Sequence, residues 1–493
     1  MDAATWTTII VVLAFLVDFI IRVISIIVVP RNRRPTSATA WLLAIFFIPY
    51  IGVLFFLLIG SYKLPKRRRE RQQQVDEFIL DSTEGMERVR HDEPWPPWFE
   101  SVVTLNRNLG SMPLVGDNMA VLISDYQASL DAMTEAIGQA KLFVHVEFYI
   151  LTCDQTTAPF FDALEAAIAR GVTVHVLLDH VASLRTRDYK HTLKRLTAMG
   201  AHWQLMLPVQ PFKGRYQRPD LRNHRKLLVV DAVVGFMGSQ NVIDRSYNKK
   251  SNIRRGLKWQ ELVARVEGPV AAGLNAIFIT DWFIETDEFL NRERLDIETL
   301  EAILPSGVNR PLDCQLVPSG PGFVGENNLK LFLALLYAAQ ERIIITSPYF
   351  VPDEAMLVAL TTATQRGVHV ELFVSEIGDQ ALVYHAQRSY YEQLLRTGVT
   401  IWRYKAPYIL HSKHFTIDDD VAVIGSSNMD MRSFMLNMEI SLMVRGASFV
   451  RDMRAIEQDY RDNSTVLTLE EWLKQPLFAT VLDNLSRLTS ALQ

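Results

Sequence analysis

The sequence predicts a duplicated α/β body behind an N-terminal pair of membrane helices. Three observations predict it: two long apolar segments before Ser61, an alternation of apolar strands with helical stretches after Val115, and one phrase of polar residues written twice in a fixed register. At 493 residues, 49% apolar and 22% charged, the chain is long enough for several domains and falls among folded sequences. A net charge of −4 gives no overall attraction to nucleic acid, so any basic surface is local. Cys153 and Cys314 are the only cysteines, which excludes a disulfide framework and a thiolate zinc site.

The first apolar segment runs from Trp6 to Val29, interrupted by Asp18 and Arg22; the second, Ala40 to Gly60, carries no charge. Both reach the ~20 residues that a bilayer crossing requires. Asp18 and Arg22 stand at i and i+4 and are expected to pair on a face turned to a neighbouring helix. Pro49 is expected to kink the second span. A cleaved signal peptide fits poorly, because Asp2 stands where basic residues belong and the apolar stretch is too long. The connecting loop carries Arg31, Arg33 and Arg34; Lys63, Lys66, Arg67, Arg68, Arg69 and Arg71 follow the second span. With two crossings the N-terminus and body share a side, and the positive-inside tendency makes that side the cytoplasm. The Lys66–Arg71 run reads equally as a stop signal or as a patch for anionic headgroups. Residues 1–72 are thus an anchor with spans at about 6–29 and 40–60, and 73–114 a linker. Its Pro94-Trp95-Pro96-Pro97-Trp98 suits either the membrane interface or packing on the body.

From Val115 the pattern is strand, helix, strand. Residues 141–151 read as a buried strand, 160–169 as an amphipathic helix and 171–179 as the next strand. The second half repeats this at 342–351, 356–364 and 367–375, and Arg170-Gly171-Val172 matches Arg366-Gly367-Val368. Each glycine fits the residue that ends a helix. The alternation predicts a mostly parallel sheet with helices on its faces. Its repetition predicts two such sheets, one in each of the halves 115–305 and 306–493, packed about a pseudo-twofold axis.

The repeated phrase is His224-Arg-Lys226-Leu-Leu-Val-Val-Asp231 with Gly238-Ser239-Gln-Asn241, and then His411-Ser-Lys413-His-Phe-Thr-Ile-Asp418 with Gly425-Ser426-Ser-Asn428. Every member of the second copy lies 187 residues after its counterpart. On a strand, His224 and Lys226 share a face, as do His411 and Lys413. A neutral imidazole can attack an anionic phosphodiester and hold it covalently. A second histidine can protonate the leaving alcohol and later deprotonate the acceptor. Two lysines with Ser239, Asn241, Ser426 and Asn428 can hold the charge that grows on the phosphoryl oxygens. Nothing in that chemistry calls for a metal or cofactor, and no metal-ligand spacing is evident. Imidazoles need a tautomer-setting carboxylate. Glu439 lies 28 residues beyond His411 and Glu261 37 beyond His224, and either is placed to reach an Nδ1. Asp231 and Asp418 complete the catalytic phrase but fall in turns, where they are expected to orient rather than react.

This phrase resembles the HKD motif of the phospholipase D superfamily, HxKxxxxDx6GSxN, matched in full by both copies and supported across 115–493. Arg34-Pro35, Ala40-Trp41-Leu-Leu and Pro49-Tyr50-Ile51-Gly52 look like the anchor of bacterial cardiolipin synthases. So do Asp220-Leu-Arg-Asn-His-Arg-Lys226, Ser347-Pro-Tyr349-Phe-Val-Pro352-Asp-Glu and Asn428-Met-Asp-Met-Arg432-Ser433. Glu261 departs from the family's usual Asp. The resemblance implies a phosphatidyltransferase in the bacterial inner membrane that uses two phosphatidylglycerols and releases glycerol. His224 would be the nucleophile and His411 the general acid and base. Two alternatives within the superfamily are a hydrolytic membrane phospholipase D and a nuclease; the anchor and the near-neutral charge speak against nucleic acid. A non-catalytic lipid-binding scaffold is disfavoured because both motifs are intact.

Overall fold

The computed structural model describes residues 3–31, 33–60, 66–82, 95–290, 311–323 and 325–489. The chain forms two units, Met1–Leu64 with Arg218–Asp220, and Pro65–Gln217 with Leu221–Gln493.

In the first unit, Ala3–Val28 is one continuous helix. Its Thr5–Val28 stretch has a mean hydropathy of 2.8 and is 6% buried, and among the described residues it alone is long and apolar enough to cross a membrane. Asp18 and Arg22 do pair, at 2.8 Å. The second apolar segment is not the single span the sequence predicts. It forms two helices, Pro35–Phe47 of 13 residues and Pro49–Ile59 of 11 residues. Ile48, at φ −136° and ψ 73°, breaks the helix, because a residue before proline is pushed out of the helical region. The two pieces fold back on each other. Trp41 and Phe56 would be roughly 22 Å apart along a straight helix, yet their rings meet edge-on at 5.5 Å. Gly52 permits the close approach: a Cβ there would stand 2.8 Å from the Ala44 carbonyl oxygen. Val29, Ala38 and Ile45 form the small core of this helical hairpin, with Ile21 and Trp41 against it.

The second unit is built on one long mixed sheet. From one edge its strands are Ser464–Leu467, Thr400–Tyr404, His369–Ser375, Arg342–Thr346, His414–Ile417, Val421–Gly425, Asn437–Arg445 and Leu312–Ser319. It continues through Leu114–Ile123, Val263–Glu267, Val234–Gly238, Lys226–Val230, Phe143–Phe148, Thr173–Asp179 and His202–Met206. The two sheets expected are therefore corrected to one, its halves joined edge to edge because Leu114–Ile123 pairs a strand of each. Along this path, parallel pairing joins Phe143–Phe148, Thr173–Asp179 and His202–Met206 in one half and Arg342–Thr346, His369–Ser375 and Thr400–Tyr404 in the other, where helices such as Ala158–Ala169 and Glu354–Gln365 cross over; off the path, the short strand Arg222–Asn223 also runs parallel to Asn437–Arg445. The expected mostly parallel sheet is therefore corrected to a mixed one. The phrases return on themselves through tight turns, which forces antiparallel neighbours. Gly171 and Gly367 end their helices at φ +91° and +90°.

The described residues of the 73–114 stretch include helical segments packed on the body. Helix Lys66–Ser82 buries Val75 and Ile79 in one core, and helix Pro97–Gly110 buries Phe99 and Val102 in another. Trp95 and Trp98 pack edge-on against Phe99, with centroids at 5.5 and 5.7 Å, so these tryptophans belong to the body. Arg68 pairs with the buried Glu285 at 2.7 Å and Arg71 donates to the Ile284 carbonyl at 2.6 Å. Part of the basic run is therefore held by the body.

Candidate functional site

Each histidine follows a short strand that pairs, in parallel, with a strand of the opposite half. Arg222 and Asn223 pair with Asn437 and Met438; Tyr408, Ile409 and Leu410 pair with Lys258, Trp259 and Gln260. The ladders continue one residue further. The His224 amide donates to the Met438 carbonyl at 2.8 Å, and the His411 amide to the Gln260 carbonyl at 2.7 Å. Side by side with each histidine now stands the glutamate of the other half. His224 Nδ1 lies 3.0 Å from both Glu439 oxygens; His411 Nδ1 lies 2.8 and 2.9 Å from those of Glu261.

The partners are therefore crossed, which spacing alone does not reveal. Fourteen residues separate Tyr247 from Glu261 and five separate Phe434 from Glu439. The extra length in the first half is the loop around helix Lys250–Arg254. Beyond it the register is restored: Ser239 N–H donates to Leu262 O at 3.0 Å and Ser426 N–H to Ile440 O at 3.0 Å.

Lys226 Nζ donates to the carbonyl of His224 and Lys413 Nζ to that of His411, both at 2.6 Å. Lys413 Nζ also lies 3.3 Å from each ring nitrogen of His411. All four side chains are buried. Asn241 is committed, accepting from the Ile150 amide at 3.0 Å and donating to the Tyr247 hydroxyl at 2.9 Å. Asn428 is buried beside Ser433, whose hydroxyl accepts from the Asn428 amide at 3.2 Å.

The serines of the phrases are engaged with the glutamate strands: the Ser426 hydroxyl donates to Glu439 at 2.5 Å, and Ser239 accepts from the Leu262 amide at 2.9 Å. Asp231 lies at the far end of strand Lys226–Val230 and accepts from the amides of Lys141, Leu142 and Phe143, each at 2.8 Å. Asp418 takes the amides of Gln340, Glu341 and Arg342 in the same way. Both carboxylates thus fasten a turn to the neighbouring strand.

Three tyrosines complete the walls. Tyr149 meets His224 edge-on at 4.8 Å; Tyr349 and Tyr247 approach His411 at 6.3 and 6.5 Å. None was singled out from sequence as a wall of the site. The signal lay in Tyr149 and Tyr349, which lie just beyond the equivalent strands Phe143–Phe148 and Arg342–Thr346.

The electrostatics differ between the halves. Burial, then the charges of Lys226, Lys413 and His411, hold His224 well below the ordinary imidazole range. Burial also lowers His411, but the Glu261 carboxylate opposes that fall. Burial pushes Lys226 down to about 7 and Lys413 to about 8, against the pull of both glutamates. It raises Glu439 to about 7. Burial would raise Glu261 too, but His411, its hydrogen bond and Lys413 hold that carboxyl below its usual value. A pocket that offers a neutral imidazole, a second imidazole beside a carboxylate, and two desolvated ammonium groups suits an incoming anion.

Comparison with known proteins agrees with this geometry. A family model described as the PLD-like domain of cardiolipin synthase matches twice, at residues 133–282 and 332–460, and one described as phospholipase D-nuclease N-terminal matches 19–61. Cardiolipin synthase A of Proteus mirabilis is 31% identical over 458 residues, 92% of each chain. That of Yersinia pseudotuberculosis is 32% identical over 469 residues, 94% of each chain. The chain belongs to the PLD-like cardiolipin synthase family. A phosphatidylserine synthase of Haemophilus influenzae superposes with a TM-score of 0.59, covering 79% of this chain and 99% of its own at 15% identity, which shows the shared fold. The two matches to the cardiolipin synthase domain contain one copy of the repeated phrase each, His224 in the first and His411 in the second, so the family's unit is half a site. The crossed glutamates are what bind the halves into one.

Proposed function

We propose that this chain is a cardiolipin synthase that carries a phosphatidyl group from one phosphatidylglycerol to another and releases glycerol. The observation that carries the reading is the crossed pair of histidine–glutamate couples above two buried lysines. His224, held neutral, is the nucleophile: its Nε2 forms a bond to phosphorus as the phosphorus–oxygen bond to glycerol breaks. His411, whose affinity for a proton is supported by the ionised Glu261, gives that proton to the departing glycerol oxygen. The free hydroxyl of the second phosphatidylglycerol then loses its proton to His411 Nε2 and attacks phosphorus. The phosphorus–nitrogen bond breaks, and both histidines return to their starting states. Lys226 and Lys413 neutralise the phosphoryl oxygens throughout. Burial of the site favours an alcohol over water as acceptor.

The test is purified protein with phosphatidylglycerol as sole lipid and mass spectrometry of products. Cardiolipin with equimolar glycerol is expected; phosphatidate as the main product would make the chain a hydrolase. With a phosphatidyl donor whose leaving group needs no proton, such as a p-nitrophenyl ester, His411→Ala is expected to accumulate a phosphohistidine that His224→Ala cannot form. The reverse result would exchange the two roles.

We further infer that the enzyme sits in the bacterial cytoplasmic membrane with one crossing, Thr5–Val28, and that Pro35–Ile59 enters and leaves by the same face. Neither arm of the hairpin has the ~20 residues a crossing needs. The body then lies in the cytoplasm.

A further inference from the structure

The last helix, Leu477–Arg487, is amphipathic with its faces reversed for a water-facing element. Its inward stripe is polar: Asp483 and Ser486 are 2% and 3% exposed. Asp483 Oδ1 lies 2.6 Å from His385 Nδ1, and Arg388 Nε bonds Asp483 Oδ2 at 3.1 Å. Arg388 also donates to Gln475 Oε1 at 2.9 Å, just before the helix begins. Its outward stripe is apolar: Leu477, Phe478, Val481, Leu485 and Leu488 are 80, 79, 47, 57 and 80% exposed. Rolling the helix over to hide the leucines would strip His385 and Arg388 of their buried carboxylate. The outward apolar face is therefore fixed by the polar anchor beneath it.

We propose that this face lies in the surface of a lipid bilayer as an interfacial helix. Area decides between a membrane and a second copy. A helix of 11 residues is about 16 Å long and 10 Å across, which is far short of the ~800 Å² per partner that a stable dimer buries. An interfacial helix needs only a few large apolar side chains facing the acyl boundary. A bilayer is within the chain's reach through Thr5–Val28. Position supports the same occupant. The helix is held by Ala381–Arg388, whose Tyr384 and Gln387 line a cavity with Tyr349, Asp379 and Ile409. Tyr349 is the ring that approaches His411, and Ile409 stands two residues before it. A docked Leu477–Arg487 would set the site's wall about one helix diameter from the headgroups, where the phosphodiesters are. The proposal deepens the function above by naming how the site meets its lipid. It rests on that reading only in taking the lipid as substrate.

The native cysteines are both buried, so introduced ones can be labelled alone. Full-length protein carrying Phe478→Cys or Leu485→Cys, each bearing an environment-sensitive dye, is reconstituted in phosphatidylglycerol–phosphatidylcholine vesicles containing a nitroxide lipid. Loss of emission is expected from both positions and not from a dye at the exposed Gln139→Cys on the body. Emission equal to that control would overturn the proposal. So would self-quenching that disappears when the protein is diluted among empty vesicles, which would mark a second copy. The double variant Phe478→Glu with Leu485→Glu is expected to lose turnover on vesicles while keeping it on detergent-dispersed phosphatidylglycerol. Equal loss in both media would also overturn it. Quenching in the labelled variants together with no cardiolipin from the wild-type enzyme would sink the function and leave the docking intact.

Discussion

His224 and His411 occupy nearly the same frame, yet the carboxylates beside them do not carry the same charge. Glu439, raised by burial to about 7, loses its proton only near neutrality, whereas Glu261 is held below the ordinary carboxylate range by His411 and Lys413. The sign of the consequence follows from each group's charged form. Below about 7 Glu439 becomes neutral and its hold on His224 weakens, so kcat/KM falls on the acid side. Above about 7 and then about 8, Lys226 and Lys413 lose the charge that meets the phosphate, so it falls on the alkaline side as well. A narrow bell centred near neutrality is expected, its limbs belonging to the coupled cluster rather than to single residues. Glu439→Gln is expected to flatten the acid limb and Glu261→Gln to leave it. A flat profile across neutral pH in the wild type would refute the arrangement.

At the scale of elements, the turns that follow the two phrases carry a separable prediction. Asp231, Ala232 and Asp418 all have positive φ, at 52°, 54° and 47°, so these turns are held in a conformation that side chains seldom adopt. Their carboxylates satisfy three amides each. Asp231→Ala is expected to lower stability by about 1–2 kcal/mol, the net worth of hydrogen bonds to a charged carboxylate where water can reach the amides. Denaturant unfolding would read the loss, while turnover per folded molecule stays near wild type; a collapse of kcat in folded enzyme would return Asp231 to the catalytic set. The phrase itself, both histidines and lysines, and the α/β repeat were legible in sequence because the second copy repeats the first without a gap. The glutamate pairing was not, because the loop at Lys250–Arg254 breaks the register just before Glu261. Nor was the sheet's mixed direction, since apolar strands look alike whichever way they run. Tyr149 and Tyr349 went unread because an aromatic at a strand end is ordinarily core.

At the scale of the whole molecule, the N-terminal unit decides which side of the membrane the chemistry faces. Two crossings would set Arg31, Arg33 and Arg34 on the side opposite to the basic run that begins at Lys63, an arrangement that violates the positive-inside tendency at one end whichever way it is turned. A hairpin removes the conflict. On the proposed topology its entry and exit share a face, which would put both basic clusters in the cytoplasm and the N-terminal end, with no Lys or Arg before Arg22, outside. The two topologies invert the expected labelling of two positions. In intact cells, with any outer membrane made permeable, a membrane-impermeant thiol reagent should modify Thr5→Cys and spare Thr36→Cys; two crossings with a cytoplasmic body demand the opposite. Gly52→Leu extends the test to the cause. A side chain there meets the Ala44 carbonyl and the Ile45 backbone at 2.8 Å, so the arms must separate. If the hairpin depends on that contact, the variant's labelling shifts toward the two-crossing pattern and the body is driven to the wrong side. If the charges alone set the topology, labelling is unchanged and only stability falls.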